Sequence, residues 1–126
     1  MSKILVVEDD MILALVLKKN LEQLGHTVLD VQASGQGAID AVSASKPSLI
    51  IMDIKLMGSI DGIQTMIEIR KFSEIPVIYV SGNSDESVKL KAQATQSSEF
   101  MSKPIDLFEL KERINKALAI SVEKRK

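Results

Sequence analysis

Residues able to do chemistry stand at a few spaced points in this 126-residue chain, each just past an apolar run. Glu8, Asp9 and Asp10 follow Ile4-Leu5-Val6-Val7, and Asp53 follows Leu49-Ile50-Ile51-Met52. Ser81 follows Val77-Ile78-Tyr79-Val80, and Lys103-Pro104 comes just after Phe100-Met101. If the first, third and fourth runs are neighbouring strands, Glu8, Asp9 and Asp53 form a carboxylate cluster beside a hydroxyl and an ammonium. Carboxylates held that close repel and raise one another's pKa unless a cation sits among them. Oxygen donors with open positions suit Mg2+, which holds few protein ligands and keeps waters that a phosphate can replace. Asp53, at the centre, is the natural nucleophile, because a carboxylate can form an acyl phosphate. Lys103 would neutralise charge on a phosphoryl group in transfer, and the Ser81 hydroxyl would donate to one of its oxygens. Phosphoryl transfer asks chiefly for positioning and charge neutralisation, and these residues offer both.

The elements that must position them are legible as pattern. The four runs above and Val28-Leu29-Asp30-Val31 are short and for the most part near-continuous, as strands buried on both faces are. Between them lie segments of helical period. Leu13, Leu17, Leu21 and Leu24 share one face, closed by Gly25 as a C-cap candidate. Ala38, Ala41 and Val42 form a second face, and Ile63, Met66 and Ile67 a third. Leu107, Leu110, Ile114 and Leu118 form the cleanest stripe, opened by Asp106 at the N-cap with Glu109 three residues on. In Ser84–Gln96 apolar and polar residues alternate as in an edge strand, but its length and its Lys and Gln content favour a weakly anchored helix. Strand and helix alternating five times give an α/β fold, a parallel sheet with helices on both faces. Ligands of such sheets bind beyond the carboxyl ends of the strands, where strand order reverses.

Composition narrows the classes. Sixteen Lys and Arg against 17 Asp and Glu leave a net charge of −1, which argues against direct, non-specific nucleic-acid binding, since that calls for a basic face. The absence of Cys removes disulfides, thiolate metal sites and cysteine nucleophiles. No apolar run approaches a membrane span or a signal peptide, so the expectation is a cytoplasmic chain without membrane contact. Residues 1–126 read as one domain, its core about 3–120, with 121–126 a basic helix end or the stub of a linker.

Val6-Val7-Glu8-Asp9, Met52-Asp53, Asp61-Gly62, Val80-Ser81 and Ser102-Lys103-Pro104, in this order, resemble the receiver domain of two-component response regulators. The resemblance runs from Lys3 to about Ile120. It implies a flavodoxin-like (βα)5 doubly wound sheet with strand order 2-1-3-4-5. It makes Asp53 the phosphoacceptor, taking a phosphoryl group from a sensor histidine kinase or a histidine phosphotransfer protein and losing it slowly by hydrolysis. Glu8 and Asp9 match the acidic pair that binds Mg2+, Asp9 directly and Glu8 often through water. Lys55 occupies the position whose main-chain carbonyl completes the metal site. Ser81 and Lys103 match the hydroxyl and lysine of the site. Ser81 and Phe100 match the switch pair that reshapes the face of the fourth helix, fifth strand and fifth helix, which signals to a downstream effector and can form a homodimer. Lys55 and Asn83, two residues past Asp53 and Ser81, match positions that tune the lifetime of the phosphoryl group.

The chain also departs from the family pattern. The loop after the phosphoacceptor usually reads Met-Pro-x-Met-Asp-Gly; here Leu56-Met57-Gly58-Ser59-Ile60-Asp61-Gly62 lacks the Pro and has one residue more, with Gly58 expected to make the turn. Such loops resemble a receiver subclass tied to sensor-kinase and PAS-type architectures and to stand-alone receivers. Gln96-Ser97-Ser98-Glu99 replaces the usual Gly-Ala before the fifth strand. An aspartyl phosphatase of the haloacid-dehalogenase type would carry a second Asp two residues past the nucleophile, and Lys55 stands there. Bland readings suit the remainder: Asp10 as an N-cap, His26 as an exposed turn residue, the Met residues as gap-fillers, and Gly35-Gln36-Gly37 as too short for a dinucleotide loop.

Overall fold

A computed structural model describes residues 2–82 and 86–125, with side chains given through residue 119. The elements alternate along the chain as β1 (Lys3–Val7), α1 (Met11–Gln23), β2 (Thr27–Val28), α2 (Gly35–Ser45), β3 (Leu49–Asp53), α3 (Gly62–Ile69), β4 (Val77–Ser81), α4 (Glu86–Gln93), β5 (Ser98–Ser102) and α5 (Leu107–Arg125). All neighbours pair in parallel and the sheet order is β2-β1-β3-β4-β5, the flavodoxin-like arrangement implied by the motifs.

The near-continuous apolar runs have the burial that such runs demand: every residue of β3 and β4 is buried, and only Lys3 of β1 is exposed. Because side chains alternate across a strand, the sheet supports two cores. Leu5, Val7, Ile50, Met52 and Tyr79 face α2, α3 and α4. Ile4, Val6, Ile51, Ile78 and Val80 face Leu17 and Leu21 of α1 and Leu110 and Ile114 of α5. Asp10 caps α1 by accepting from the Ile12 and Leu13 amides at 3.0 and 3.3 Å. That helix ends in a Schellman turn: Gly25, at φ +95, donates to the Glu22 carbonyl and His26 donates to the Leu21 carbonyl.

Some expectations are corrected. The buried face of α1 is Ala14, Leu17 and Leu21, with Leu13 exposed. Likewise Ile63, Met66 and Ile69 bury in α3, and Ile67 is exposed. Each misplaced residue lies next in sequence to a buried one, and one residue is about 100° of helix rotation. In α5, Leu107 is also exposed, and Ala117 joins Leu110 and Ile114 in the core. The second strand is only Thr27–Val28; beyond it the chain keeps contact with β1 through Leu29 N–H to Ile4 O and Gln32 N–H to Val6 O, with Asp30 exposed. An edge segment pairs on one side only, so a charged residue and lost regularity are tolerated there. His26 is half-buried instead of exposed, with Nδ1 unpartnered among the described residues, and burial lowers its pKa. Met11 and Met57 are exposed, unlike the buried Met52, Met66 and Met101. Glu123, Lys124 and Arg125 continue α5, and their side chains and Lys126 lie outside the described residues.

Within the segment of strand-like alternation, Glu86–Gln93 is a helix, and Ser84 and Asp85 lie outside the described residues. Only Ala92 of α4 is buried, and Leu90 is exposed. Its far end is fixed by polar contacts instead. Arg70, at the end of α3, donates through Nε to the Thr95 carbonyl at 2.7 Å and through Nη2 to the Gln96 carbonyl at 2.9 Å. The Tyr79 and Thr95 hydroxyls share a buried hydrogen bond of 2.7 Å. Gln96 and Ser97 take positive φ of 62 and 46, the conformation for which the family's Gly is suited.

Asp61 opens α3 with a reciprocal cap to Gln64, both bonds 2.8 Å long. The next residue, Gly62, lies against the backbone that carries Asp53: a Cβ there would sit 2.3 Å from the Asp53 carbonyl oxygen and 2.9 Å from Ile54 Cα. Neither neighbour can move without shifting β3. Gly62→Ala is therefore expected to cost about 1–3 kcal/mol, read as a lower urea midpoint at unchanged slope. Wild-type stability in this variant would mean that the end of β3 is not closely held.

Candidate functional site

The parallel register brings the ends of four strands to one edge. Val7 pairs with Met52, Asp53 with Val80, and Ser81 with Ser102. Glu8 thus stands one residue past β1, Asp53 and Ser81 end β3 and β4, and Lys103 begins the chain beyond β5. A main-chain bond of 2.9 Å from Lys103 N–H to the Ser81 carbonyl ties the last two together. The Lys103–Pro104 peptide is cis. Carboxylate oxygens of Glu8, Asp9 and Asp53 lie within 4.8 Å of one another. Lys103 Nζ stands 3.2 Å from Glu8 Oε1 and 3.4 Å from Asp53 Oδ1. Glu8, Asp53 and Ser81 are buried, and Asp9 is half-buried.

Burial governs the charges. It is the largest influence on Glu8 and raises its pKa; the Asp10 amide, 3.2 Å from Oε2, lowers it, and Asp53 raises it again, so that the carboxyl sits at about 7. For Lys103, burial works downward, but Asp53 and Glu8 outweigh it and carry the ammonium above its ordinary value. One ammonium faces three carboxyls, all with hard oxygen donors, at a spacing that a small divalent ion can bridge. The residues present fit Mg2+.

Further supports come from groups that carry no sequence signature. The Met57 amide donates to Asp9 Oδ2 at 3.0 Å, and the amides of Leu56 and Gly62 both donate to the Ile54 carbonyl, at 3.1 and 2.8 Å. Gly58 makes its turn at φ +116. A main-chain donor is independent of residue type, and only the fold reveals it.

The other expected site residues lie farther out. Phe100 is the register partner of Tyr79 within β5, half-buried against the α4 side of the core, with Lys89 Nζ 5.6 Å from its ring centroid. Lys55 has an exposed side chain in the loop after Asp53, and Asn83 lies outside the described residues.

Residues 4–115 match the sequence model of the response regulator receiver domain family. The chain belongs to this family. This receiver is 35% identical to the KDP operon transcriptional regulatory protein KdpE of Escherichia coli over 94% of its own length and 52% of the relative's. The signal receiver domain of a modulated diguanylate cyclase from Desulfovibrio desulfuricans superposes with a TM-score of 0.89 at 26% identity, covering 98% of both chains. The N-terminal domain of a response regulator/sensory box/GGDEF protein from Carboxydothermus hydrogenoformans gives 0.88 at 29% identity, covering 98% of this chain and 99% of that one. The chain spans about half the length of the curated relatives it matches. Among the described residues of the receiver, no helix is long and apolar enough to cross a membrane.

The raised Glu8 pKa sets a pH dependence. Its carboxyl binds a proton more tightly folded, at about 7, than at the ordinary 4.5 of the unfolded chain. Stability is therefore fully present below about 4.5 and lost as pH rises toward 7. In metal-free buffer the unfolding free energy should fall by on the order of 1–2 kcal/mol between about pH 5 and 7.5, and added Mg2+ should reduce the fall. A flat profile in chelator would show that Glu8 is already ionised at the acid end.

Proposed function

We propose that this receiver accepts a phosphoryl group on Asp53 from the phosphohistidine of a sensor histidine kinase or a histidine phosphotransfer protein, with Mg2+ as cofactor, and loses it slowly by hydrolysis. The observation that carries the reading is the convergence at one sheet edge of Glu8, Asp9 and Asp53, their carboxylate oxygens within 4.8 Å of one another, with Lys103 Nζ 3.2 and 3.4 Å from Glu8 and Asp53. An Asp53 carboxylate oxygen attacks phosphorus, the bond to the donor imidazole nitrogen breaks, and that nitrogen keeps the electron pair. Lys103, already 3.4 Å from Asp53 Oδ1, can follow the charge onto a phosphoryl oxygen. Ser81, at the adjacent strand end, can donate to another. Glu8, Asp9, Asp53 and the Lys55 carbonyl would hold Mg2+, which when bound supplies charge neutralisation for the phosphoryl oxygens. Water attacking the acyl phosphate returns the carboxylate and inorganic phosphate. The chemistry is done on the chain itself, as befits a signalling domain.

In this reading Ser81 and Phe100 relay phosphorylation to the face built by α4, β5 and α5. The slight burial of α4 and the half-buried ring of Phe100 favour a two-state element there. That face would meet a downstream effector protein or domain, or a second copy of the chain. The description of KdpE as a transcriptional regulatory protein supports an output in gene control.

Incubation with acetyl phosphate and Mg2+ should add the mass of one phosphoryl group, and Asp53→Asn or a chelator should abolish the gain. Absence of any gain with small-molecule and phosphohistidine donors alike would overturn the reading. Lys55→Ala should still be phosphorylated but decay at a different rate, because the side chain flanks the path of the attacking water; an unchanged decay would remove that role.

A further inference from the structure

The loop between Asp53 and α3 does more than link two elements. Its Met57 is 77% exposed, so what this residue brings to the site is its main-chain amide, 3.0 Å from Asp9 Oδ2. The loop is built to present that amide. Leu56 is buried, and the Ile54 carbonyl accepts from both Leu56 and Gly62, closing the segment on itself. Gly58, at φ +116, then turns the chain in open space, where an added Cβ would have no neighbour within 4 Å. The family's usual loop has Pro at the position of Met57, and Pro has no N–H to give. The donor to Asp9 is thus a property of this chain's longer, Pro-less loop.

A neutral donor on one oxygen of a carboxylate fixes the rotamer of the side chain and eases its repulsion from Glu8 and Asp53 without adding a charge. We propose that Met57 is a positioning residue acting through its amide: it orients Asp9 to receive Mg2+ and ties the conformation of the 54–62 loop to occupation of the metal site. The inference rests on the metal reading given above. Coupling of this kind is reciprocal, so whatever strains the loop weakens the metal, and the metal steadies the loop.

Mg2+ titration of the full chain by calorimetry, with amide hydrogen exchange by NMR, tests this. Met57→Pro deletes the donor, and Gly58→Ala disfavours the turn without a clash, so the bond is removed by two independent routes. Both variants should bind Mg2+ roughly three- to tenfold more weakly, the range of one part-exposed hydrogen bond to a charged group. In the wild type the Met57 amide should be protected from exchange without metal, more so with Mg2+, and unprotected in Asp9→Ala. Wild-type affinity in both variants, or free-loop exchange of the Met57 amide in the wild type, would overturn the inference while leaving the metal site standing. A wild-type chain that binds no Mg2+ would remove the metal reading and this inference together.

Discussion

Lys103 places one ammonium between two buried carboxylates, Glu8 and Asp53, with Asp9 close by. Removing any of these groups from water is costly, and a buried charge is tolerable only when paired and hydrogen-bonded. The pairing is incomplete, since a single cation answers three acids. Burial first, and Asp53 after it, push the Glu8 carboxyl up to about 7, and the acidic group is one that a further cation could join.

The rest of the fold is arranged to hold these groups still. Two cores, one on each face of the sheet, fix the central strands, and the register sets the heights at which Glu8, Asp53, Ser81 and Lys103 emerge. Gly62 packs on the Asp53 backbone, and the amides of Asp10 and Met57 each take one carboxylate oxygen. Rigidity here contrasts with α4, which buries one side chain and is anchored by the Arg70 and Thr95 contacts at its far end. A helix held in this way can change its packing at modest cost, and the half-buried Phe100 lies beneath it.

Much of this was legible in the residues. Runs such as Leu49–Met52 read as central parallel strands, and the acids, hydroxyl and lysine just past such runs meet once the first, third and fourth are neighbours. Local pattern was less informative where burial is partial. Leu13 and Ile67 sit one residue from a buried position, and hydropathy does not resolve a rotation of about 100°. The alternation in Glu86–Gln93 mimics a strand because α4 buries so little that its sequence carries almost no helical period. The short β2 reflects an edge segment, where pairing on one side leaves regularity weakly specified.

Residue type and order alone determined the fold class and which side chains stand just past each strand, because burial on both faces and right-handed crossovers leave few alternatives; the strand order that joins them is what the resemblance to the receiver family implies. Tertiary structure alone decided the electrostatics within that group: how far Glu8 is desolvated, which two acids Lys103 touches, and that a loop amide reaches Asp9. Those quantities depend on distances across the sheet and on main-chain atoms common to every residue, and neither is written in side-chain identity.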